Sequence, residues 1–199
     1  MTQTPLGRAD AAVLRLAEGK ALATRTPFTW GLIEATFFVI IPDLAIGYAA
    51  LYGWRRGLQA TAWAILGAVL GGILVFLAPG FWDGVLPRLP GISHALVAHA
   101  ADRFRDGGWW AVVTAPSVGH PYKVYALLAA QEGRSFWMLL IVTPFARGWR
   151  FLAVAAITAG IGVVLRKPLR RHPAAMLAVY LAFWVVQYVL YFRYVAAKY

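Results

Sequence analysis

Of 199 residues, 61% are hydrophobic and only 14% charged, where a soluble domain carries about 25% charged residues. At ~20 residues per spanning helix the apolar segments suffice for roughly four to six membrane elements, so one all-α polytopic membrane domain is expected, with no second soluble domain. The net charge of +11 does not point to nucleic acid, because the Arg residues lie between apolar segments and not on one polar face. The lack of Cys excludes disulfides, thiol catalysis and thiolate metal sites.

Residues 1–26 are polar and mixed in charge, without the continuous apolar core of a cleaved signal peptide. Between Arg8 and Thr24, Arg15 and Glu18 fall on one helical face, with Val13, Leu14, Ala17 and Ala21 on the other. A helix lying on the cytoplasmic interface and a plain solvated leader both fit this pattern.

Phe28–Tyr52 is apolar apart from Glu34 and Asp43. At ~100° per residue, one straight helix would put these acids on opposite faces, one of them toward lipid. Pro42 is expected to break the helix and start a second one, with Asp43 in its favourable first turn. That second half, Asp43–Tyr52, has a length of ~15 Å, about half a bilayer, and ends at Gly53. A re-entrant hairpin or broken helix is expected; a single kinked span is the alternative.

After the basic link Gly53-Trp-Arg-Arg-Gly57, the stretch Leu58–Ala78 carries no charge and reads as a full span. Ala60, Ala64, Ala68 and Gly72 recur every fourth residue beside Gly67-x-x-x-Gly71, a face on which another backbone packs closely. Pro79–Gly108 is the longest polar stretch, with a surface helix expected over Ile92–Asp106. Its His94 and His99 stand five apart with no acidic cluster beside them, so no metal or other cofactor is expected.

Trp109–Ala130 repeats the first broken segment. It is interrupted at Pro116, Gly119 and Pro121, and a half-helix from Pro121 to Gly133 follows, with Arg134 behind it as Arg55 and Arg56 stand behind Gly53. Short Pro/Gly-interrupted apolar segments at matching places in two halves point to a transporter's binding site. Phe136–Leu165 is long enough for a tilted span, with Arg147 and Arg150 on one face. The cluster Arg166-Lys-Pro-Leu-Arg-Arg171 precedes an aromatic-rich span, Ala174–Tyr194. The excess of basic residues in this cluster and in the leader places both in the cytoplasm.

At Pro42-Asp43, the small-residue span, Pro121-Tyr-Lys123 and Arg147-Gly-Trp-Arg-Phe151, the chain resembles the DedA/VTT (SNARE-associated Golgi protein) superfamily, its YqaA-like branch above all. The resemblance covers roughly residues 30–165. It implies a multi-pass bacterial inner-membrane protein with a VTT-like core over residues 28–165 and a C-terminal transmembrane helix over 174–195. Two re-entrant hairpins, broken at Pro42 and at Gly119–Pro121, would face each other across the bilayer. It also implies movement of phospholipid, or of the polyprenyl phosphate carrier, between leaflets. The family's acidic and basic membrane residues map onto Glu34, Asp43, Lys123, Arg147 and Arg150.

On this reading Lys123, Arg147 and Arg150 hold a phosphate head group, helped by backbone N–H groups after Pro121. Glu34 and Asp43 pair with these cations in the empty site or take up protons that drive transport. Partners are anionic head groups and membrane lipids, with a homo-oligomer allowed and no nucleic acid. Two alternatives stand beside it: that the five charges only pin the two hairpins together as buried ion pairs, and that the protein is a non-transporting assembly factor. Pro116-Ser-Val-Gly-His120 is similar to the Pro-Ser-Gly-His stretch of membrane lipid phosphatases. An extra Val intrudes there and no second His serves as nucleophile, so no enzyme is expected.

Overall fold

The computed structural model of the chain describes residues 7–37 and 40–195. Residues 1–6 of the leader, and Phe38 and Val39 of the first broken segment, lie outside the described residues. Every element among those described is a helix.

The leader forms α1 (Arg8–Glu18) and the short α2 (Lys20–Ala23). It is docked and not merely solvated. Ala17, Leu22 and Ala23 are buried, and Arg56 donates to the carbonyls of Ala17, Glu18 and Gly19 at 2.6–3.0 Å. These are the orphan acceptors that a helix C-terminus presents, and a guanidinium satisfies several of them at once.

Two short helices follow, α3 (Arg25–Glu34) and α4 (Asp43–Leu51). At ~1.5 Å per residue each covers about half a bilayer. The break is wider than Pro42 alone would make it, because α3 already stops at Glu34. There the Thr36 hydroxyl bonds back to the carbonyls of Leu32 and Ile33, both at 3.0 Å, and competes with continuation of the helix. Pro42 is the N-cap of α4 rather than its first residue.

The 24-residue α5 (Trp54–Leu77) runs through the middle of the bundle. Its small-residue face receives α3: a Cβ on Gly67 would collide with the Phe28 carbonyl, and one on Gly71 would meet Ala35. Thus α3 runs beside α5 in the same direction. The end of α4 returns to the start of α5, where Ala50 packs on Gly57. The chain therefore reverses direction between α3 and α4, and Trp30 Nε1 ties the two arms by donating to the Ile40 carbonyl at 2.8 Å.

After α6 (Pro79–Val85) and a 3₁₀ turn comes α7 (His94–Gly107). This expected surface helix buries Leu96, Ala100 and Phe104, so one face belongs to the core. Next are α8 (Trp109–Thr114), a 3₁₀ turn over Ala115–Val118, and α9 (Tyr122–Gln131). Gly119 sits between them at φ 76°, a left-handed conformation that glycine adopts without strain. The 29-residue α10 (Phe136–Val164), α11 (Arg166–Arg171) and α12 (Pro173–Leu190, continued by a π-helical turn) complete the chain. Among the described residues three helices suit a membrane crossing by length and composition: α5, α10 and the helix from Pro173 to Tyr194.

Each broken segment has its own core. One, around the end of α5, joins Phe104, Tyr122, Tyr125 and Leu139. The other, around the start of α5, joins Ile46, Tyr48, Phe151 and Leu169. Where α10 ends, a Cβ on Gly162 would collide with the Leu51 carbonyl. That end of the bundle also carries α1, α11 and most of the arginines, and we call it the basic end. The last helix, α12, contributes little to either core and is held by tyrosine hydroxyls and by Asp10, whose carboxylate accepts the Ala174 N–H at 3.0 Å.

Candidate functional site

The two breaks line one cavity of about 730 Å³, with Glu34 and Ile41 on one side and the run from Pro116 to Pro121 on the other. Lys123, Arg147 and Arg150 also line it. Arg147 lies about 16 Å from the start of α10, a helix of ~43 Å, and so sits near the middle of that span.

Both acids are engaged by the two arginines. Arg147 donates to the Glu34 carboxylate, and both side chains are almost fully buried. Arg150 Nη2 lies 3.0 Å from Asp43 Oδ2, an ion contact, and among the described residues neither atom has a hydrogen-bond partner. The guanidinium of Arg147 stands 5.6 Å from the Tyr122 ring centroid and 5.1 Å from that of Phe151; Arg150 shares Phe151 at 5.2 Å. The rings' negative faces partly replace the hydration that these cations lose.

The cluster thus gathers Lys123, Arg147 and Arg150 around the carboxylates of Glu34 and Asp43. Among the described residues the Nε atoms of Arg147 and Arg150 are buried without a hydrogen-bond partner, so donors remain for an anion. Of the expected site residues, Glu34, Lys123, Arg147 and Arg150 come to the cavity itself, and Gly119 and Pro121 shape its wall. Asp43 is reached through Arg150, and Pro42 holds the start of its helix.

Several site residues escaped the sequence reading. The aromatic span α12 closes the cavity with Trp184, Tyr188 and Tyr191. The Ile41 N–H donates to the Tyr188 hydroxyl at 2.7 Å, and Tyr180 donates to the Leu44 carbonyl at 2.7 Å, so α12 grips the first break. Tyr191 reaches the Gly119 carbonyl of the second at 3.4 Å. The signal was in the spacing: Tyr180, Trp184, Tyr188 and Tyr191 fall on one helical face. His99, considered with His94, meets His120 instead, Nδ1 to Nε2 at 3.2 Å, and the other nitrogen of His120 lies 2.9 Å from the Tyr125 hydroxyl. Tyr122 and Thr143 join hydroxyls at 2.5 Å and so fasten α9 to α10. Among the described residues no three His, Asp or Glu side chains converge as a metal site.

An uncharacterised protein of Haemophilus influenzae is 28% identical over 144 residues, covering 70% of this chain and 73% of that one. No family model matches the sequence, and no solved structure matches it.

Proposed function

We propose that this protein moves a phospholipid, or a polyprenyl phosphate carrier, between the leaflets of a bacterial inner membrane. The observation that carries this reading is the cavity between two helix breaks, lined by Lys123, Arg147 and Arg150 halfway along an otherwise apolar bundle. Its volume falls in the range of about 300–1,000 Å³ usual for small-ligand sites. Cations in such surroundings cost ~2.5–3.5 kcal/mol each on the insertion scale, and proteins keep them where they face a ligand, water or each other.

In this mechanism α3–α4 and α8–α9 each form a re-entrant hairpin, the two entering from opposite faces. An arriving phosphate takes N–H donors from Arg147 and Arg150 and charge from Lys123, and the carboxylates of Glu34 and Asp43 release their cations in exchange. The basic end faces the cytoplasm with the N-terminus, as the excess of Lys and Arg there favours. A proton taken up by a displaced carboxylate would couple transfer to pH.

The test is transfer of labelled anionic lipid between leaflets of vesicles holding the purified protein. Lys123→Met and Arg150→Gln should each lower the rate at least about tenfold, the size of one charge-assisted contact, with thermal unfolding read beside transfer to separate lost movement from lost fold. Transfer at the wild-type rate by both variants would remove the cations from the mechanism. A profile that is flat from mildly acidic to mildly basic pH would remove the proton and keep the transfer.

A second reading, a non-transporting assembly factor, is favoured by one observation: both carboxylates already sit in ion pairs. Wild-type protein that moves no lipid in the vesicle assay, and loses stability when either pair is broken, would select it.

A further inference from the structure

We propose that a second cavity, at the basic end, binds one anionic phospholipid of the surrounding leaflet. This inference rests on the membrane-crossing helices and not on the transport reading. The cavity has a volume of about 570 Å³ and lies between the end of α4, the start of α5, the last turns of α10, and α11. It shares no lining residue with the central one.

Its floor is the small-residue side of α10, where Ala156 and Gly160 stand one turn apart. Among the described residues, a Cβ added at Gly160 would meet no atom within 4 Å. This is open room along the helix, unlike Gly162, whose added Cβ would collide with the Leu51 carbonyl. A slot of this kind suits an acyl chain lying along α10. Nearby Val163 and Val164 are 77% and 81% exposed, on a helix apolar enough to cross a membrane, so hydrocarbon is the medium expected beside the slot.

The mouth is charged. Arg166 and Arg170 line it from one face of α11, four residues apart, which puts their Cβ atoms ~5–6 Å apart. Two arginines so spaced can bring their guanidinium groups to one phosphate, each supplying a pair of N–H donors. Tyr52 and Trp54 line the same cavity, and such aromatics mark the depth where hydrocarbon gives way to head groups. The arginines therefore lie at phosphate depth while the slot lies at acyl depth. Basic pockets between helices on the cytoplasmic side are known acceptors of anionic head groups.

Glu18 lines the same cavity. Its carboxylate repels a phosphate dianion and can accept from a head-group hydroxyl. The site is thus matched to a phosphodiester bearing hydroxyls, a phosphatidylglycerol-type lipid, rather than to free phosphate.

The test is native mass spectrometry of the full-length protein released from detergent, titrated with phosphatidylglycerol or with phosphatidylcholine of the same acyl chains. The expected result is one tight phosphatidylglycerol adduct and weaker binding of phosphatidylcholine. Arg166→Gln with Arg170→Gln should lower that affinity about tenfold or more. Gly160→Leu fills the slot without touching a charge and should lower binding of both lipids. Lys123→Met, in the central cavity, should leave the tight adduct in place, and its loss there would assign the lipid to the central site and overturn the proposal. Equal affinity for the two lipids, or wild-type binding by the double arginine variant or by Gly160→Leu, would also overturn it. Unchanged thermal unfolding of the variants separates lost binding from lost fold.

Discussion

The two broken segments are held to the bundle by different means. In the first, α3 lies on α5 through backbone contact: Gly31 meets the Ala64 carbonyl, Gly67 that of Phe28, and Gly71 that of Leu32. In the second, α8 and α9 are held by side-chain hydrogen bonds. Tyr122 meets Thr143, His120 joins Tyr125 and His99, Arg103 Nη2 donates to Thr114 at 3.2 Å, and Trp149 donates to the Val113 carbonyl at 3.2 Å. Close backbone packing tolerates no added volume, whereas side-chain bonds tolerate changes of volume better than the loss of a partner. The acids also divide from the cations, with Glu34 and Asp43 in the first half, Lys123 in the second, and the arginines on α10 between them. The buried pairs are thus among the contacts through which the halves meet.

Five single substitutions probe this contrast. Arg147→Ala should have the largest effect, because it leaves the Glu34 carboxylate buried without its cation; breaking such a pair costs ~3–5 kcal/mol. Thermal unfolding of the detergent-purified protein would read it, and Glu34→Gln together with Arg147→Gln should recover most of the loss. A double variant as unstable as the single one would show that the halves are not joined by charge there.

Gly67→Ala sharpens the point about volume. In an exposed helix the change would stabilise by up to ~1 kcal/mol, but here the new methyl meets the Phe28 backbone, and overpacking of this kind costs ~1–3 kcal/mol. A net loss of stability is expected. The same substitution at Gly160, where a Cβ finds open space, should leave stability unchanged or raise it. Equal signs at the two positions would break the contrast.

Thr143→Val removes the partner of the buried Tyr122 hydroxyl at nearly constant volume. An unsatisfied buried hydroxyl costs ~1–3 kcal/mol, and adding Tyr122→Phe should return part of it. The smallest effect belongs to Asp102→Ala on α7, which breaks an ion pair with Arg105 whose side chains are both 63% exposed. Screened pairs of this sort contribute ~0–1 kcal/mol, so its unfolding curve should nearly overlay that of the wild type. A large shift there would mean that α7 is held by charge and not by Leu96, Ala100 and Phe104.

The sequence by itself determined which segments are long and apolar, where Pro and Gly interrupt them, and which few charges stand among apolar neighbours. Those are local properties, carried by hydropathy, by the missing N–H of proline and by the backbone freedom of glycine. The small-residue face of α5 was equally legible, since helical period alone aligns Gly67 and Gly71. Only the tertiary structure decided which backbone that face receives, that Glu34 pairs with Arg147 while Asp43 turns to Arg150, and that His99 answers His120 rather than His94. It also decided that α12, which read as a plain span, closes the central cavity with its tyrosines, and that the leader docks through Arg56. Such pairings join residues as far apart as Glu34 and Arg147, which are 113 positions apart. Nothing in the local chain encodes them, because they follow from which helices pack together and at what height.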